Sequence, residues 1–242
     1  MKTIIKVIVQ KILEVEARVL LQRTRPRVVG IAGSVGKTST KDAIFLAISS
    51  QISSRASEKS YNSELGLPLT ILGLKTGWNS PLKWITILYR GMLRALFFPV
   101  EKYPKVLVLE VGTDRPGDMD RVIKWLKFDV VVLTRCPKIP VHVEFFASPH
   151  DLNEEDKKIV KGLRREGVAV LNMDDEEVMN LKDRYGGRII TYGFSREAEI
   201  NDLNESELMT NIIGKQDGYP LLAAIGVSRA LALDESAAKN SL

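Results

Sequence analysis

The sequence predicts an α/β fold in which a doubly wound, mostly parallel sheet carries helices on both faces and follows an N-terminal amphipathic helix. Short continuous apolar runs, typical of buried parallel strands, alternate along the chain with segments of helical periodicity. A glycine-bearing turn joins the first apolar run to a helix, which indicates a ligand site at the carboxyl ends of the strands. At 242 residues the chain is long enough to bury a substantial core.

The composition is that of an ordinary globular protein, with 45% apolar and 27% charged residues. The net charge of +5 is modest, and no basic run interleaved with aromatic residues indicates nucleic-acid binding. A single cysteine, Cys136, excludes an internal disulfide and fits a reducing, cytoplasmic compartment. One cysteine and two histidines do not favour a structural zinc site.

Residues 1–26 form a predicted basic amphipathic helix, separate from the domain that follows at residues 27–242. Apolar residues at helical spacing alternate with lysines and arginines, so the segment is too interrupted by charge to span a bilayer. Two interpretations stay open, a helix packed on the domain and a helix lying on an anionic membrane surface. A second basic amphipathic helix is predicted over residues 81–99. We expect it to pack on the core, and the alternative is that it forms one membrane-facing surface with the first helix.

The segment after this helix has the pattern of a phosphate-binding loop. Residues 28–32 read as a buried strand, residues 33–37 as a turn and residues 38–50 as a helix. G-S-V-G-K-T is a shortened form of G-x-x-x-x-G-K-[ST], in which backbone amides and the lysine hold phosphates and the hydroxyl ligates Mg²⁺. The predicted phosphate contacts are Gly33, Ser34, Val35, Gly36, Lys37, Thr38 and Ser39. The alternative is an ordinary strand-turn-helix with a surface lysine, which the ordered context disfavours.

Further strands are predicted at residues 105–111, 129–134, 168–171 and 188–192, with helices at 119–126, 153–166 and 221–233. The strand at 105–111 carries an acid, Glu110, near its carboxyl end, where open α/β sheets place ligand chemistry. The alternative role for Glu110 is a helix cap or a salt bridge.

Five motifs, at residues 33–40, 62–70, 109–118, 140–146 and 170–175, occur in the order found in a known family. Through them residues 27–242 resemble the central ATPase domain of the ATP-dependent Mur ligases of peptidoglycan synthesis. The motifs are most similar to those of the members that add D-Ala-D-Ala to a UDP-MurNAc-peptide. The resemblance implies these two molecules as substrates, and ATP with Mg²⁺ as cofactors.

In that family a substrate carboxylate attacks the γ-phosphate of ATP, and an amine then displaces phosphate from the resulting acyl phosphate. The resemblance implies catalytic roles for Lys37, Glu110 and His142, and metal-binding roles for Thr38, Glu110, His142 and Asp156. It implies substrate or metal contacts for Asn62 and Ser63, and it places residues 172–175 near the nucleotide. His150 lacks such a context and is expected at the surface, while Cys136 is expected to be a small apolar filler.

The sequence also departs from the family pattern. Asp156 stands where relatives carry a carbamylated lysine, and a one-residue shift would place Lys157 there instead. Residues 214–220 lack the asparagines and histidine associated with the nucleotide base. Relative to the family, we expect the basic helix in place of the N-terminal domain and no C-terminal domain in the 242-residue sequence, unless a longer native chain or a partner supplies it.

Three hypotheses follow. The first is a ligase domain of cell-wall synthesis that acts only when a partner chain or a longer native chain supplies the missing domain. The second is a degenerate nucleotide-binding module that serves as a scaffold or as half of a split enzyme. The third is an ATPase in peripheral contact with the inner membrane surface through residues 1–25.

Overall fold

A computed structural model describes residues 3–58, 64–77, 80–137, 145–201 and 215–242. Its centre is a six-stranded sheet in the order β2-β3-β1-β4-β5-β6, and each pair of neighbouring strands is parallel. The strands are β1 (Arg27–Ala32), β2 (Ser54–Ala56), β3 (Val106–Glu110), β4 (Phe128–Leu133), β5 (Leu163–Asn172) and β6 (Arg188–Tyr192). Because the chain leaves β1 towards one edge and later returns to its other side, β1 lies at the point where the strand order reverses.

Nine helices lie within the described residues: α1 (Thr3–Thr24), α2 (Lys37–Ser49), α3 (Gly66–Leu72), α4 (Pro81–Phe97), α5 (Asp118–Trp125), α6 (Pro149–Lys157), α7 (Glu176–Met179), α8 (Lys215–Ala230) and α9 (Glu235–Ser241). The local sequence explains where two of these helices begin. Ser80 caps α4 ahead of Pro81, and Ser148 caps α6 ahead of Pro149. A proline in the first turn fits because no hydrogen bond is lost there.

The sheet separates two apolar cores, as the alternation of side chains along a strand requires. Val29 and Ile31 of β1 face α2, α8 and α9, whereas Val28 faces the layer that contains α1, α3, α4 and α5. Both faces of the central strands are therefore buried, which explains their continuous apolar sequences. The predicted fold class, a doubly wound parallel sheet with helices on both faces, is confirmed.

The N-terminal helix α1 packs on the domain. Val9, Leu13, Ala17 and Leu20, spaced three to four residues apart, are at most 4% exposed and belong to the core that also contains Trp84 of α4. None of the described helices is both long enough and apolar enough to cross a membrane.

Two predicted elements need correction. The helix expected over residues 153–166 ends at Lys157, and after a short 3₁₀ turn β5 already begins at Leu163. The register between β4 and β5 shifts after Phe128, so the charged residues that follow Leu163 form an irregular, exposed start of the strand. The helix expected over residues 221–233 is instead α8, which ends at Ala230, and α9 follows it.

Candidate active site

The loop between β1 and α2 depends on two glycines. Gly33 has φ of +122°, and a Cβ atom there would collide with the Thr134 hydroxyl. Gly36 has φ of +84° and precedes the first residue of α2. Both conformations belong to the region that side chains disfavour, so the loop requires glycine at each position. The amides of the first turn of α2 lack partners inside the helix and are available to an anion.

The loop is tied to the residues that follow β4. The Ser34 amide donates to the Arg135 carbonyl oxygen at 2.8 Å, and Val35 forms an isolated bridge with the same residue. The loop therefore sits at the carboxyl end of the sheet, where β1 and β4 both end.

The Lys37 ammonium folds back over this loop. Its Nζ donates to the Gly33 carbonyl oxygen at 2.5 Å. A phosphate bound at the loop would provide a stronger, charged acceptor at the same place. The predicted phosphate-contacting residues, from Gly33 to Ser39, are thus continuous in one turn and the start of one helix.

Thr38 and Glu110 meet at the adjacent strand end. Thr38 Oγ1 donates to Glu110 Oε2 at 2.9 Å. Glu110 is 7% exposed, and its amide donates to Ser57 Oγ at 3.1 Å, which fixes the end of β3. Because Ile31 and Glu110 are paired in register, the carboxylate lies directly beside the loop. A hydroxyl and a carboxylate oxygen this close are suitable ligands for Mg²⁺.

Asp156 lies on another side of the same loop. Its carboxylate is 2% exposed, accepts from Thr113 Oγ1 at 2.6 Å and lies 3.5 Å from Ser34 Oγ. Burial raises its pKa, while the Thr113 hydrogen bond and the Lys37 charge act in the opposite direction. Lys157 points elsewhere, so of the two alternatives for this position Asp156 is the one that faces the loop.

Lys157 is bound by two acids. Its Nζ donates to Glu154 Oε1 at 3.0 Å and to Glu177 Oε2 at 2.8 Å. His150 lies close enough to these carboxylates for the three to resemble a metal site, with ligand atoms within 4.8 Å of one another. Arg184 Nη1 also donates to Glu154 Oε2 at 3.3 Å, so two cations pair with the two carboxylates and the group is explained as an ion-pair cluster. His150 is exposed, as expected.

A cleft of about 240 Å³ adjoins the loop. It lies between the start of α2 and the ends of β4, β5 and β6, and Arg135 and Tyr219 are among the residues that line it. The Tyr219 hydroxyl donates to Asp174 Oδ2 at 3.0 Å, and the Arg135 guanidinium lies 5.9 Å from the Tyr219 ring centre. Burial and the Asp174 contact raise the pKa of Tyr219 to about 12, so its hydroxyl stays protonated.

The sequence did not predict Arg135 or Tyr219 as residues of the candidate site. The available signal was their position: Arg135 directly follows a strand that ends beside the loop, and Tyr219 lies in the segment that departs from the family pattern. Neither has a spacing that indicates chemistry by itself.

Residues 172–175 support the cleft in different ways. Asn172 is buried and lines it. Asp174 accepts from the amides of Phe194 and Ser195, and Asp175 accepts from the amides of Val178 and Cys136. The two acids therefore hold neighbouring turns in place.

Cys136 is 1% exposed within the apolar core, as a filler residue would be, and burial raises the pKa of its thiol. Three other predicted site residues, Asn62, Ser63 and His142, lie outside the described residues.

A glycine-dependent loop after β1, a lysine over it, a helix N-terminus and a hydroxyl-carboxylate pair together define a nucleotide-binding α/β domain of the phosphate-loop class. Residues 89–227 match the family model described as Mur ligase middle domain. The chain belongs to this family.

Curated relatives agree. The chain is 26% identical over 222 residues to the UDP-N-acetylmuramoyl-tripeptide--D-alanyl-D-alanine ligase of Bacillus subtilis, covering 89% of this chain and 42% of the relative. It is 25% identical over 221 residues to the enzyme of that name from Synechocystis, covering 88% and 42%. The chain thus spans less than half the length of these relatives.

Solved structures show the same fold. A crystal structure of MurF from Acinetobacter baumannii superposes with a TM-score of 0.73 at 16% identity, covering 96% of this chain and 48% of that one. MurF ligase from Thermotoga maritima, in complex with ADP, gives a TM-score of 0.67 at 21% identity, covering 93% and 50%.

Proposed function

We propose that the chain is the ATP-binding part of a ligase that forms an amide bond between a UDP-MurNAc-peptide and D-Ala-D-Ala. The observation that carries this proposal is the 2.9 Å contact between Thr38 and Glu110, beside the loop that carries Lys37. The substrates are inferred from the names of the curated relatives. Residues 27–242 would form the nucleotide-binding unit, and the rest of the ligase would come from a longer chain or a partner.

The reaction would run in two displacements. An oxygen of the substrate carboxylate attacks the γ-phosphorus of ATP, and ADP leaves with the electron pair of the broken bond. The amine nitrogen then attacks the acyl carbon, loses a proton, and phosphate leaves. Negative charge increases on phosphoryl oxygens, so the reaction needs cations and donors that are already in place.

The described residues supply such groups. The Lys37 ammonium would move from the Gly33 carbonyl to the β and γ phosphates, and the amides at the start of α2 would contact the same oxygens. Thr38 and Glu110 would hold Mg²⁺, which neutralises phosphate charge when bound. We infer that Asp156 and His142 contribute to a second metal position, and that Asn62 and Ser63 contact the substrate.

Mg²⁺-dependent ATP binding tests this proposal, measured by titration with a fluorescent ATP analogue. Lys37→Ala should weaken binding at least about tenfold, because a charged hydrogen-bond donor to the phosphates is lost. Lys75→Ala is the matched control, since that lysine side chain is 84% exposed. Equal affinity of the Lys37 variant and the control would rule out the proposed phosphate site.

A second candidate is a nucleotide-binding module without ligase activity. It is favoured by Asp156, which stands where the family carries a longer carbamylated lysine. The Asp156 carboxylate is short and buried, and it accepts a hydrogen bond from Thr113. The two candidates differ in turnover. Phosphate release that requires both UDP-MurNAc-tripeptide and D-Ala-D-Ala supports the ligase. ATP binding without such release, even with the remaining domains supplied, supports the module.

A further inference from the structure

Helix α4 exposes an apolar face that the domain does not cover. One side of the helix, with Trp84 and Ile87, is buried in the core. The opposite side carries large apolar residues every three or four positions, among them Leu82, Ile85, Tyr89, Met92, Leu96 and Phe97. Leu82, Ile85 and Phe97 are 77%, 65% and 71% exposed, far more than residues at the edge of a packed helix require. Such a continuous patch indicates an interaction surface.

Helix α1 exposes a similar stripe, formed by Ile5, Ile8, Ile12 and Val15, which are between 39% and 58% exposed. Their spacing places them on one side of the helix, apart from the buried stripe that begins at Val9. Both helices therefore expose a continuous apolar stripe on the side that faces away from the core.

The two stripes adjoin. Helices α1 and α4 run in the same direction, because Glu16 approaches Gly91 while, one to two turns later, Arg23 Nη1 donates to the Ala95 carbonyl oxygen at 2.6 Å. Ile12 lies one turn before Glu16, and Met92 follows Gly91, so exposed apolar residues flank the helix contact on both sides. We call this combined surface the α1–α4 face.

The α1–α4 face carries a net positive charge, although Lys11 of α1 pairs with Glu14 at 3.0 Å. The sequence of α4 contains Lys83, Arg90 and Arg94 and no acidic residue. On α1 the exposed cations include Lys6, Lys11 and Arg18, whereas its two acids, Glu14 and Glu16, are buried. Two copies of this face would bring like charges together, which disfavours a symmetric dimer.

Positive charge continues beyond the C-terminal half of α1. A cleft of about 890 Å³ begins at Arg18 and is also lined by Arg25, Lys124, Lys127 and Arg164, together with one acid, Asp129, that pairs with Arg164. The cleft lies at the amino ends of β1 and β4, away from the phosphate loop. The cations of this cleft add positive electrostatic potential beside the α1–α4 face, where a surface rich in phosphate groups would be attracted.

We propose that the α1–α4 face docks on an anionic phospholipid surface, with α1 and α4 lying in the interface and their lysines and arginines at the headgroups. Apolar side chains with cations along their margin are the pattern of helices that lie on membranes. The positive charges are complementary to anionic headgroups, each attracted by an amount that corresponds to about fivefold in partition. The phosphate loop, at the far end of the strands from the basic cleft, stays accessible to nucleotide in this arrangement.

Flotation of the 242-residue chain with lipid vesicles tests the proposal. Vesicles of phosphatidylcholine with about 30% phosphatidylglycerol should carry the protein at low salt, and pure phosphatidylcholine vesicles should carry at least about tenfold less. Raising the ionic strength should weaken the binding, because surface charges are screened.

Two variants identify the surface. Lys83→Gln with Arg90→Gln should reduce partition into anionic vesicles about 25-fold, since two attracted charges are removed. Ile85→Ser with Phe97→Ser should reduce it at least about tenfold through loss of apolar burial. Leu46→Ser on α2 is the control, because Leu46 is 49% exposed on the other side of the sheet and should leave binding unchanged. Circular dichroism of each variant is the check that it is folded.

Three results would overturn the proposal. The first is the absence of binding to anionic vesicles at low salt. The second is equal loss of binding in the Leu46 control and the face variants. The third is a dimer in sedimentation that Ile85→Ser with Phe97→Ser converts to a monomer while vesicle binding is absent, which would identify the face as a self-association surface.

Discussion

At the scale of single residues, the candidate site consists of a few side chains with distinct physical tasks. Gly33 and Gly36 permit a backbone that other residues disfavour. In the proposed function Lys37 supplies a cation, and the Thr38–Glu110 pair supplies two oxygen ligands. These residues were predictable because each belongs to a motif whose chemistry depends on residue type and local spacing.

Tyr219 was not predictable in this way, because only folding brings α8 beside the ends of β4 and β5. Its ring lines the cleft beside the loop, where a base would stack on it. Tyr219→Ala should therefore weaken ATP binding about tenfold and leave the binding of inorganic triphosphate unchanged.

Competition titrations with the two ligands measure this difference. Tyr219→Phe is the control, since it removes the hydroxyl that contacts Asp174 and keeps the ring. Equal weakening of ATP and triphosphate by Tyr219→Ala would contradict a base-binding role for this cleft.

At the scale of elements, the sequence predicts what local pattern encodes and misses what pairing decides. The strands around β1 were predicted because both of their faces are buried and their sequences are continuously apolar. Strand β2 has only three half-buried residues and exists through its pairing with β3, so no pattern indicated it. The start of β5 is charged and irregular, and its sequence favoured a helix.

The contact between α1 and α4 contains a buried acid with consequences for stability. Glu16 is 8% exposed, and its Oε2 atom has no hydrogen-bond partner among the described residues. Burial raises the pKa of Glu16 from 4.5 to about 7. The folded protein therefore holds this proton over a pH range in which the unfolded chain releases it, so folding stability falls as the pH rises from about 4.5 to about 7.

Glu16→Gln removes this charge. At pH 8 the variant should be more stable than the parent by about 1 to 2 kcal/mol, allowing for partial screening by water, and the difference should vanish near pH 4. Urea unfolding at both pH values measures it. Glu101→Gln, at an exposed position, serves as the control. A gain that is equal at the two pH values would show that the carboxylate charge is not its source.

At the scale of the whole molecule, one sheet positions two separate surfaces. The carboxyl ends of β1, β3 and β4 hold the candidate ATP site, while α1 and α4 cover one face of the sheet and expose the proposed docking surface. Strand order accounts for the site, because β3 and β4 flank β1 and bring Glu110 and Arg135 to the loop between them. The chain spans less than half of its curated relatives, and residues 89–227 match the model of the family's middle domain.

In the proposed function, Thr38 and Glu110 hold the magnesium of a triphosphate bound at the Lys37 loop. Calorimetric titration of ATP with and without Mg²⁺ tests it most directly, in the parent chain, in Glu110→Gln and in the exposed-site control Glu101→Gln. Mg²⁺ should tighten ATP binding in the parent and the control, whereas Glu110→Gln should lose at least about tenfold of this gain without losing affinity for metal-free ATP. An undiminished Mg²⁺ effect in Glu110→Gln would contradict it.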